Sequence, residues 1–141
     1  MRAKSQKSSI LRILDANYNR AKEGVRVCED VARFVLENRR LTGRFKTIRH
    51  DLTKVMLNLP VTYSRIVAER DVRKDVGSNS LKLDKKKIIS EDIFASNVQR
   101  SQEAVRVLEE WSKIISIPAA KKFQKIRFSL YELEKETFKQ F

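Results

Sequence analysis

Two stretches of the chain carry the same polar residue types at the same three-residue steps. The ten positions, 80 residues apart, are Asn17, Arg20, Glu23, Arg26 and Glu29, and Asn97, Arg100, Glu103, Arg106 and Glu109. Because arginines suit bidentate binding of phosphate oxygens, the set indicates a site for a phosphorylated ligand. The alternative is a ladder of opposite charges along a helix, which contributes only about 0.2–0.5 kcal/mol per pair. Asparagine is a poor helix former and gains nothing from such a ladder, so both interpretations stay open.

A second group of charged side chains lies between the two stretches. The segment ERDVRKDVGSNS, residues 69–80, contains Arg70, Asp71, Arg73 and Asp75. Paired aspartates suit Mg²⁺, and connections much longer than a helix turn needs are often functional. If the repeats stand side by side and start at the same end, the segment closes over the asparagines and arginines of both. An ordinary surface crossover is the alternative.

Few other residues could carry chemistry. His50 could shuttle protons or bind phosphate, although a lone helical histidine is more often structural. Cys28 is predicted to be a small core residue, and Phe34 and Trp111 are predicted to lie in the core beside it. One cysteine and one histidine exclude the usual Cys/His zinc sites. The familiar glycine-rich nucleotide motifs are absent from the sequence.

The elements that must position these residues are helices. Apolar residues recur at three- and four-residue spacings, which is typical of amphipathic helices. The predicted helices lie near residues 10–37, 42–58, 90–116 and 119–138. Ser90 is predicted to cap the third helix, and Pro118 to lie in the first turn of the fourth.

The second and fourth predicted helices also match each other. Phe45, Ile48, Arg49 and Leu52 fall, at an offset of 78, on Phe123, Ile126, Arg127 and Leu130. The sequence therefore predicts an all-α fold, a four-helix bundle of two duplicated αα-hairpins joined by a long central connection. Its predicted limits are a single domain over residues 1–141, with repeats at about 9–58 and 90–139 and a connecting loop at about 59–89.

Charge and composition restrict the partners. Lys and Arg number 31 against 18 Asp and Glu, a formal net charge of +13 that attracts polyanions without identifying them. A single cysteine cannot form a disulfide within the chain, and no run approaches the roughly 20 apolar residues of a membrane span. We therefore expect a cytoplasmic protein with no membrane partner.

Four motifs, taken in order, resemble a known family. LDANYNRAKEGVRVCEDVARFVL, FKTIRHDL, ERDVRKDVG and ASNVQRSQEAVRVLEEWSK are similar to the monofunctional hydroxymethylpyrimidine phosphate kinases of bacterial thiamine biosynthesis. The resemblance covers about residues 10–137. This family occurs alone or fused to the N-terminus of thiamine-phosphate synthase, and its members are often labelled thiamine-phosphate pyrophosphorylase.

The resemblance implies an ATP-dependent phosphomethylpyrimidine kinase. It would transfer the γ-phosphoryl group of ATP to 4-amino-2-methyl-5-(phosphooxymethyl)pyrimidine, with Mg²⁺ as cofactor. The acceptor is an ionised phosphate, so catalysis would be positioning and charge neutralisation. The candidate catalytic residues are Arg20, Arg70, Asp71, Asp75 and Arg100, of which Asp71 and Asp75 would also hold Mg²⁺. The candidate substrate-binding residues are Asn17, Arg26, Arg49, His50, Asn97, Arg106 and Arg127.

Two other functions remain alternatives. A basic helical nucleic-acid binder would explain the charge without any enzyme. A non-catalytic partner domain of thiamine-phosphate synthase would explain the fusions. The expected partners are thus the phosphorylated pyrimidine and ATP, with thiamine-phosphate synthase and a second copy of the chain as further candidates.

Overall fold

The computed structural model describes residues 2–77 and 88–141, and over these residues it contains helices and no strand. A π-helical turn, Val31–Val35, continues the first helix. The five α-helices are α1 (Arg2–Asp30), α2 (Arg39–Leu57), α3 (Tyr63–Ala68), α4 (Ser90–Ser112) and α5 (Ile117–Phe138). The prediction of an all-α bundle built from two hairpins is confirmed. The short helix α3 was not predicted, and the limits proposed for a single domain stay a prediction.

The first hairpin turns immediately after the π-helical turn. Glu37 adopts a φ of 50°, in the left-handed region that commonly ends a helix. Asn38 then caps α2, its side-chain oxygen accepting the backbone N–H of Leu41 at 3.0 Å. Because this cap lies directly before Arg39, α2 begins a few residues earlier than its apolar pattern indicates.

The second hairpin follows the predicted turn chemistry at one of two positions. Ser116 caps α5 by accepting the N–H of Ala119, and Pro118 lies in the first turn as predicted. Ser90, in contrast, is the first helical residue of α4 and does not cap it. The cap position belongs to Ile89, whose backbone N–H donates to the Asp92 carboxylate at 3.1 Å.

Aromatic side chains fill the centre of the bundle. Phe45 and Phe94 are fully buried and meet edge to face, with ring centroids 6.1 Å apart. Such pairs contribute about 0.5–1.5 kcal/mol beyond the area they bury. The prediction that Phe34 and Trp111 lie in the core is wrong, because they are 65% and 37% exposed. Phe34 lies in the π-helical turn that ends the first helix, and Trp111 lies in the last turn of α4.

Cys28 is buried on the α1 seam, as predicted. Burial raises the pKa of its thiol to about 12. A thiol with that pKa stays protonated at neutral pH and is a poor nucleophile. Cys28 is therefore a packing residue.

The two repeats meet where α1 and α4 cross, and the crossing is antiparallel. Gly24, in the second half of α1, lies against Asn97 and Ser101 in the first half of α4. At the other end, Ile10 of α1 lines the same groove as Ile114, which follows α4. The expectation that the first helix of each repeat starts at the same end of the molecule is therefore wrong.

Gly24 permits this close approach because it has no Cβ. A Cβ at this position would collide with Ser101 Oγ and lie 2.8 Å from the carbonyl oxygen of Asn97. Ser101 Oγ also donates hydrogen bonds across the crossing to the Ala21 carbonyl at 3.3 Å and within α4 to the Asn97 carbonyl at 2.9 Å. A backbone carbonyl cannot move aside as a flexible side chain can, so the crossing requires glycine here.

We predict that Gly24→Ala lowers the free energy of unfolding by about 1–3 kcal/mol, the usual effect of overpacking a tight contact. The matched control is Gly43→Ala on α2, where a Cβ would meet nothing within 4 Å. That change should stabilise the protein by about 0.5–1 kcal/mol, since alanine is the better helix former. Urea unfolding followed by circular dichroism measures both. Equal stability of the two variants would contradict the close crossing.

Candidate functional site

A cleft of about 500 Å³ lies beside the first half of α1. Its second wall is the chain that follows α3. This volume lies within the range of small-molecule sites, about 300–1,000 Å³. The polar residues lining the cleft are Ser9, Arg12, Asp15, Asn17, Asn19, Arg20, Arg70, Asp71 and Asp75.

One ion pair joins the two walls. Asp15 accepts hydrogen bonds from Arg70 Nε and Nη2, both at 2.7 Å, in the bidentate geometry that guanidinium and carboxylate favour. The Asp15 side chain is only 5% exposed and also accepts a hydrogen bond from Asn19 Nδ2 at 3.1 Å. Hydrogen bonding to Asp15 raises the pKa of Arg70 above its ordinary value, so the Arg70 guanidinium stays protonated. This pair fixes the second wall of the cleft.

Asp15 was not among the predicted site residues. The search for repeated polar positions could not find it, because the second repeat has Ala95 at the equivalent place. A signal was nevertheless present in the sequence. Asp15 follows Leu14 on an apolar helix face, and a carboxylate buried there requires a cationic partner.

Three further contacts hold α3 and the second wall against α1. Ser8 Oγ donates to the Glu69 carboxylate at 2.6 Å, and Arg12 Nη2 donates to the Asp71 carbonyl at 3.5 Å. The rings of Tyr18 and Tyr63 meet edge to face at 5.8 Å. The start of the segment after α3, residues 69–71, is therefore held against the first repeat.

Asn17 supports Arg20 at the opposite side of the cleft. The Asn17 side chain is buried and donates to the Ile13 carbonyl at 2.9 Å. Its Oδ1 accepts a hydrogen bond from Arg20 Nη1 at 3.1 Å. Arg20 is exposed, so Asn17 orients a guanidinium that lines the cleft. The structure thus brings Asn17 and Arg20 together with Arg70, Asp71 and Asp75.

The equivalent pair of the second repeat lies elsewhere. Asn97 donates to the Ile93 carbonyl, and Arg100 donates to Asn97 Oδ1 at 3.5 Å, so the local arrangement is the same. Neither residue lines the cleft, because antiparallel packing directs the start of α4 to the other end of the bundle. Placing Asn97 and Arg100 in one site with Arg70 was therefore wrong.

Arg49 and Arg127, both predicted to bind substrate, occupy equivalent internal ion pairs. Arg49 Nε lies 2.9 Å from Glu29, and Arg127 Nε lies 2.8 Å from Glu109. Both glutamate side chains are 6% exposed, and each pair joins the two helices of one hairpin. The hydrogen bond to Glu109 raises the pKa of Arg127. Removing one member of a buried pair typically costs about 3–5 kcal/mol, so these arginines hold the hairpins together.

The remaining predicted binding residues lie on outer helix surfaces, away from the cleft. Arg26 lies 3.8 Å from Glu29 along its own helix, and Arg106 lies 3.3 Å from Glu110. His50 is exposed on α2. For the two arginines, the structure favours the alternative interpretation, a ladder of charges along a helix.

Asp71 and Asp75 line the cleft, as the magnesium prediction requires. Each also holds its own loop: Asp71 accepts the N–H of Lys74, and Asp75 accepts the N–H of Gly77. Over the part of the chain that the structure describes, no group of three or more His, Cys, Asp or Glu could hold a metal ion. Two carboxylates suit Mg²⁺ when substrate phosphates complete its coordination. The Mg²⁺ and the ATP stay predictions.

The charges in the cleft are mixed. Three arginines (Arg12, Arg20 and Arg70) face three aspartates (Asp15, Asp71 and Asp75). Because Asp15 and Arg70 neutralise each other, Arg12 and Arg20 are the cations best placed to meet an anionic group. The opposite wall offers acceptors for a ligand that also carries N–H donors.

Comparison with known proteins identifies the family. The model of the ThiD2 family matches residues 12–136. The chain belongs to the ThiD2 family. It takes part in thiamine biosynthesis, as the resemblance of its motifs indicated.

The curated relatives are longer proteins named thiamine-phosphate synthase. The chain is 35% identical over 133 residues to that of Rhodopirellula baltica, covering 94% of this chain and 35% of the relative. It is 35% identical over 133 residues to that of Synechocystis (90% and 36%) and 36% identical over 126 residues to that of Nostoc punctiforme (89% and 34%). The chain spans about a third of the length of these relatives. No solved structure matches it.

These relatives correct one prediction. The motif resemblance implied an ATP-dependent phosphomethylpyrimidine kinase, but these relatives are named for the synthase. The names of these relatives therefore support the thiamine pathway and contradict that enzyme assignment. Separately, the helices described for residues 2–77 and 88–141 include none that is long and apolar enough to cross a membrane.

We predict that Asp15→Asn loosens the second wall of the cleft. The loss of a charge-assisted bidentate pair, roughly 1.5–3 kcal/mol, should make trypsin cleavage after Arg70, Arg73 and Lys74 roughly tenfold faster or more. The control is Asp30→Asn, which also removes a carboxylate from α1 but breaks only a 3.9 Å surface contact with Arg26. Mass spectrometry of the digests gives the site-specific rates. Equal rates in both variants would contradict the clamp.

Proposed function

We propose that this chain is a partner domain of thiamine-phosphate synthase that binds a phosphorylated pyrimidine in the cleft between α1 and residues 70–75. Family membership and the names of the relatives support the pathway and the partner. In those relatives the matching region is about a third of a longer protein named thiamine-phosphate synthase, so it is part of the same chain as the rest of that protein. The observation that carries the proposal is the preorganised cleft, with Arg20 oriented by Asn17 and the facing wall clamped by Asp15.

The lining of the cleft suits the two ends of such a ligand. A phosphate would meet Arg12 and Arg20, whose guanidinium groups bind phosphate oxygens in pairs. An aminopyrimidine carries N–H donors and ring-nitrogen acceptors. The carboxylate of Asp71 can accept from the amino group, and so can the side-chain oxygen of Asn19, whose amide nitrogen already donates to Asp15.

A bound ligand on a neighbouring domain would help the synthase through local concentration. Binding sites joined by a short linker see each other at millimolar effective concentrations. A domain that captures the phosphorylated pyrimidine would therefore keep it close to the synthase without making or breaking a bond. This role needs positioned cations and hydrogen-bond partners, which the cleft provides, and it needs no general base.

We predict that the purified chain binds 4-amino-2-methyl-5-(phosphooxymethyl)pyrimidine and discriminates against the corresponding free alcohol. Arg20→Ala should weaken binding roughly ten- to a hundredfold, because one charge-assisted phosphate contact contributes about 1.5–3 kcal/mol. The control is Arg100→Ala, the equivalent arginine outside the cleft, which should change the affinity less than about twofold. Isothermal titration calorimetry measures all three proteins. Equal affinity for the alcohol, or equal loss in both variants, would contradict the proposal.

The partnership is tested separately. Sedimentation velocity of the chain mixed with a thiamine-phosphate synthase from the same organism should show a faster-sedimenting complex. Asp15→Asn, which loosens the cleft, should leave that complex intact. If the chain binds the ligand but forms no complex with the synthase, the proposed partner would be wrong and the proposed binding site would stand.

The same titrations test the two cofactors that the resemblance implies, ATP and Mg²⁺. If Mg²⁺ and ATP bind in this cleft, the affinity for MgATP should depend on Asp71, which lines it, and not on Asp51, which lies on α2. Comparison of Asp71→Asn with Asp51→Asn makes that distinction.

A further inference from the structure

The groove between α2 and α5 has two ends that the duplication makes equivalent, and one end is neutralised by ion pairs. Arg44 lies 3.1 Å from Glu136 and 3.7 Å from Glu132, and Arg40 lies 2.7 Å from Glu136. The Arg40 guanidinium keeps the pKa of the Glu136 carboxyl below its usual range. Here the cations of α2 face acids of α5.

The other end has the same geometry with the acids replaced. At the offset of 78 residues that relates α2 to α5, Lys122 corresponds to Arg44, Lys54 to Glu132 and Asn58 to Glu136. Lys54, Asn58 and Lys122 line one groove of about 310 Å³, together with Lys125. At the first end, Arg44 pairs with two carboxylates. At this end, the equivalent Lys122 faces a second cation, Lys54, and an amide, Asn58.

Among the residues that the structure describes, the lysines of this end have no acidic partner. None of Lys54, Lys122 and Lys125 forms an ion pair with any residue in the ranges 2–77 and 88–141. Of the described residues that line the groove, Asp51 is the one acid. The floor of the groove is formed by Val55 and Ile126, each 6% exposed. Like charges gathered over an apolar floor repel one another, and a bound anion would remove that repulsion.

We propose that this groove binds a small, multiply charged phosphate or diphosphate compound. Three ammonium groups and the Asn58 amide supply donors to phosphate oxygens, and the volume accommodates a small phosphorylated metabolite. A nucleic acid fits less well, because a polyanion needs a continuous basic track. The track would end at Glu132 and Glu136, which neutralise the other end of the same groove.

This site is separate from the cleft beside α1, and it stands whether or not that cleft binds a pyrimidine. None of its lining residues lines the cleft. The proposed site also gives part of the net charge of +13 a binding role, and the thiamine pathway alone does not require that charge.

The test is a titration of the full chain with inorganic pyrophosphate at low ionic strength, followed by amide nuclear magnetic resonance. Saturable shifts should appear near Lys54, Asn58 and Lys122, and they should persist in Arg20→Ala. Lys54→Glu recreates the acid of the other end and should weaken binding at these amides roughly tenfold or more. The matched control is Lys46→Glu, an equal change of charge at an exposed position of α2 outside the groove, which should weaken it less than about twofold.

Stability provides a second measurement. If the equivalence of the two ends is real, Lys54→Glu can pair with Lys122 as Glu132 pairs with Arg44, and its melting temperature should equal or exceed that of the wild type. A lower melting temperature than that of Lys46→Glu, equal loss of pyrophosphate binding in both variants, or no saturable shift in the wild type would overturn the proposal. So would tighter binding of a 12-base-pair DNA duplex than of pyrophosphate at the same amides.

Discussion

The absence of a side chain at Gly24 lets the backbone of α1 approach α4 closely. The relative direction of the two helices at that contact decides where equivalent residues of the two repeats lie. Because α1 and α4 run antiparallel, the two hairpins are related by a pseudo-two-fold axis across the helices. Equivalent residues of the two repeats therefore lie at opposite ends of the bundle. Asn17 and Asn97 make the same local hydrogen bonds, but of these two residues only Asn17 lines the cleft beside the segment that follows α3. A duplicated frame is thus compatible with a single cleft of this kind.

The residues that both repeats share and those that differ have different roles. The Glu29–Arg49 and Glu109–Arg127 pairs are the same in both halves, and each joins the helices of its own hairpin. Asp15 has Ala95 as its counterpart, and of these two residues only Asp15 has a carboxylate that can hold Arg70. In a duplicated bundle, a requirement of the fold acts on both halves equally. A departure from the repeat is consequently the better indication of a binding site.

Helix positions could be predicted from sequence because burial and helical period are local properties. The apolar seam through Leu14, Val25 and Cys28 is fully buried as its spacing indicates. The direction in which two hairpins pack is not local, since parallel and antiparallel pairings bury the same seam. That direction depends on Gly24 meeting Ser101 and the Asn97 carbonyl, a contact between residues more than 70 positions apart. Asn97 and Arg100 were wrongly placed beside the residues of the first repeat because the sequence does not show the relative direction of the two hairpins.

Asp15 also explains why the cleft is a site with a fixed shape. A buried carboxylate is stable only with a cation and hydrogen-bond donors around it, and Arg70 and Asn19 supply both. If Arg70 moved away, the buried Asp15 carboxylate would be left without a compensating charge. The chain after α3 is therefore held against α1 before any ligand binds. A preformed site avoids the conformational entropy that a mobile loop would lose on binding, and more of each phosphate contact then appears as affinity. The Asp15–Arg70 pair therefore contributes to ligand binding indirectly. It holds the walls of the cleft in place, while Arg12 and Arg20 are the residues that contact the anion.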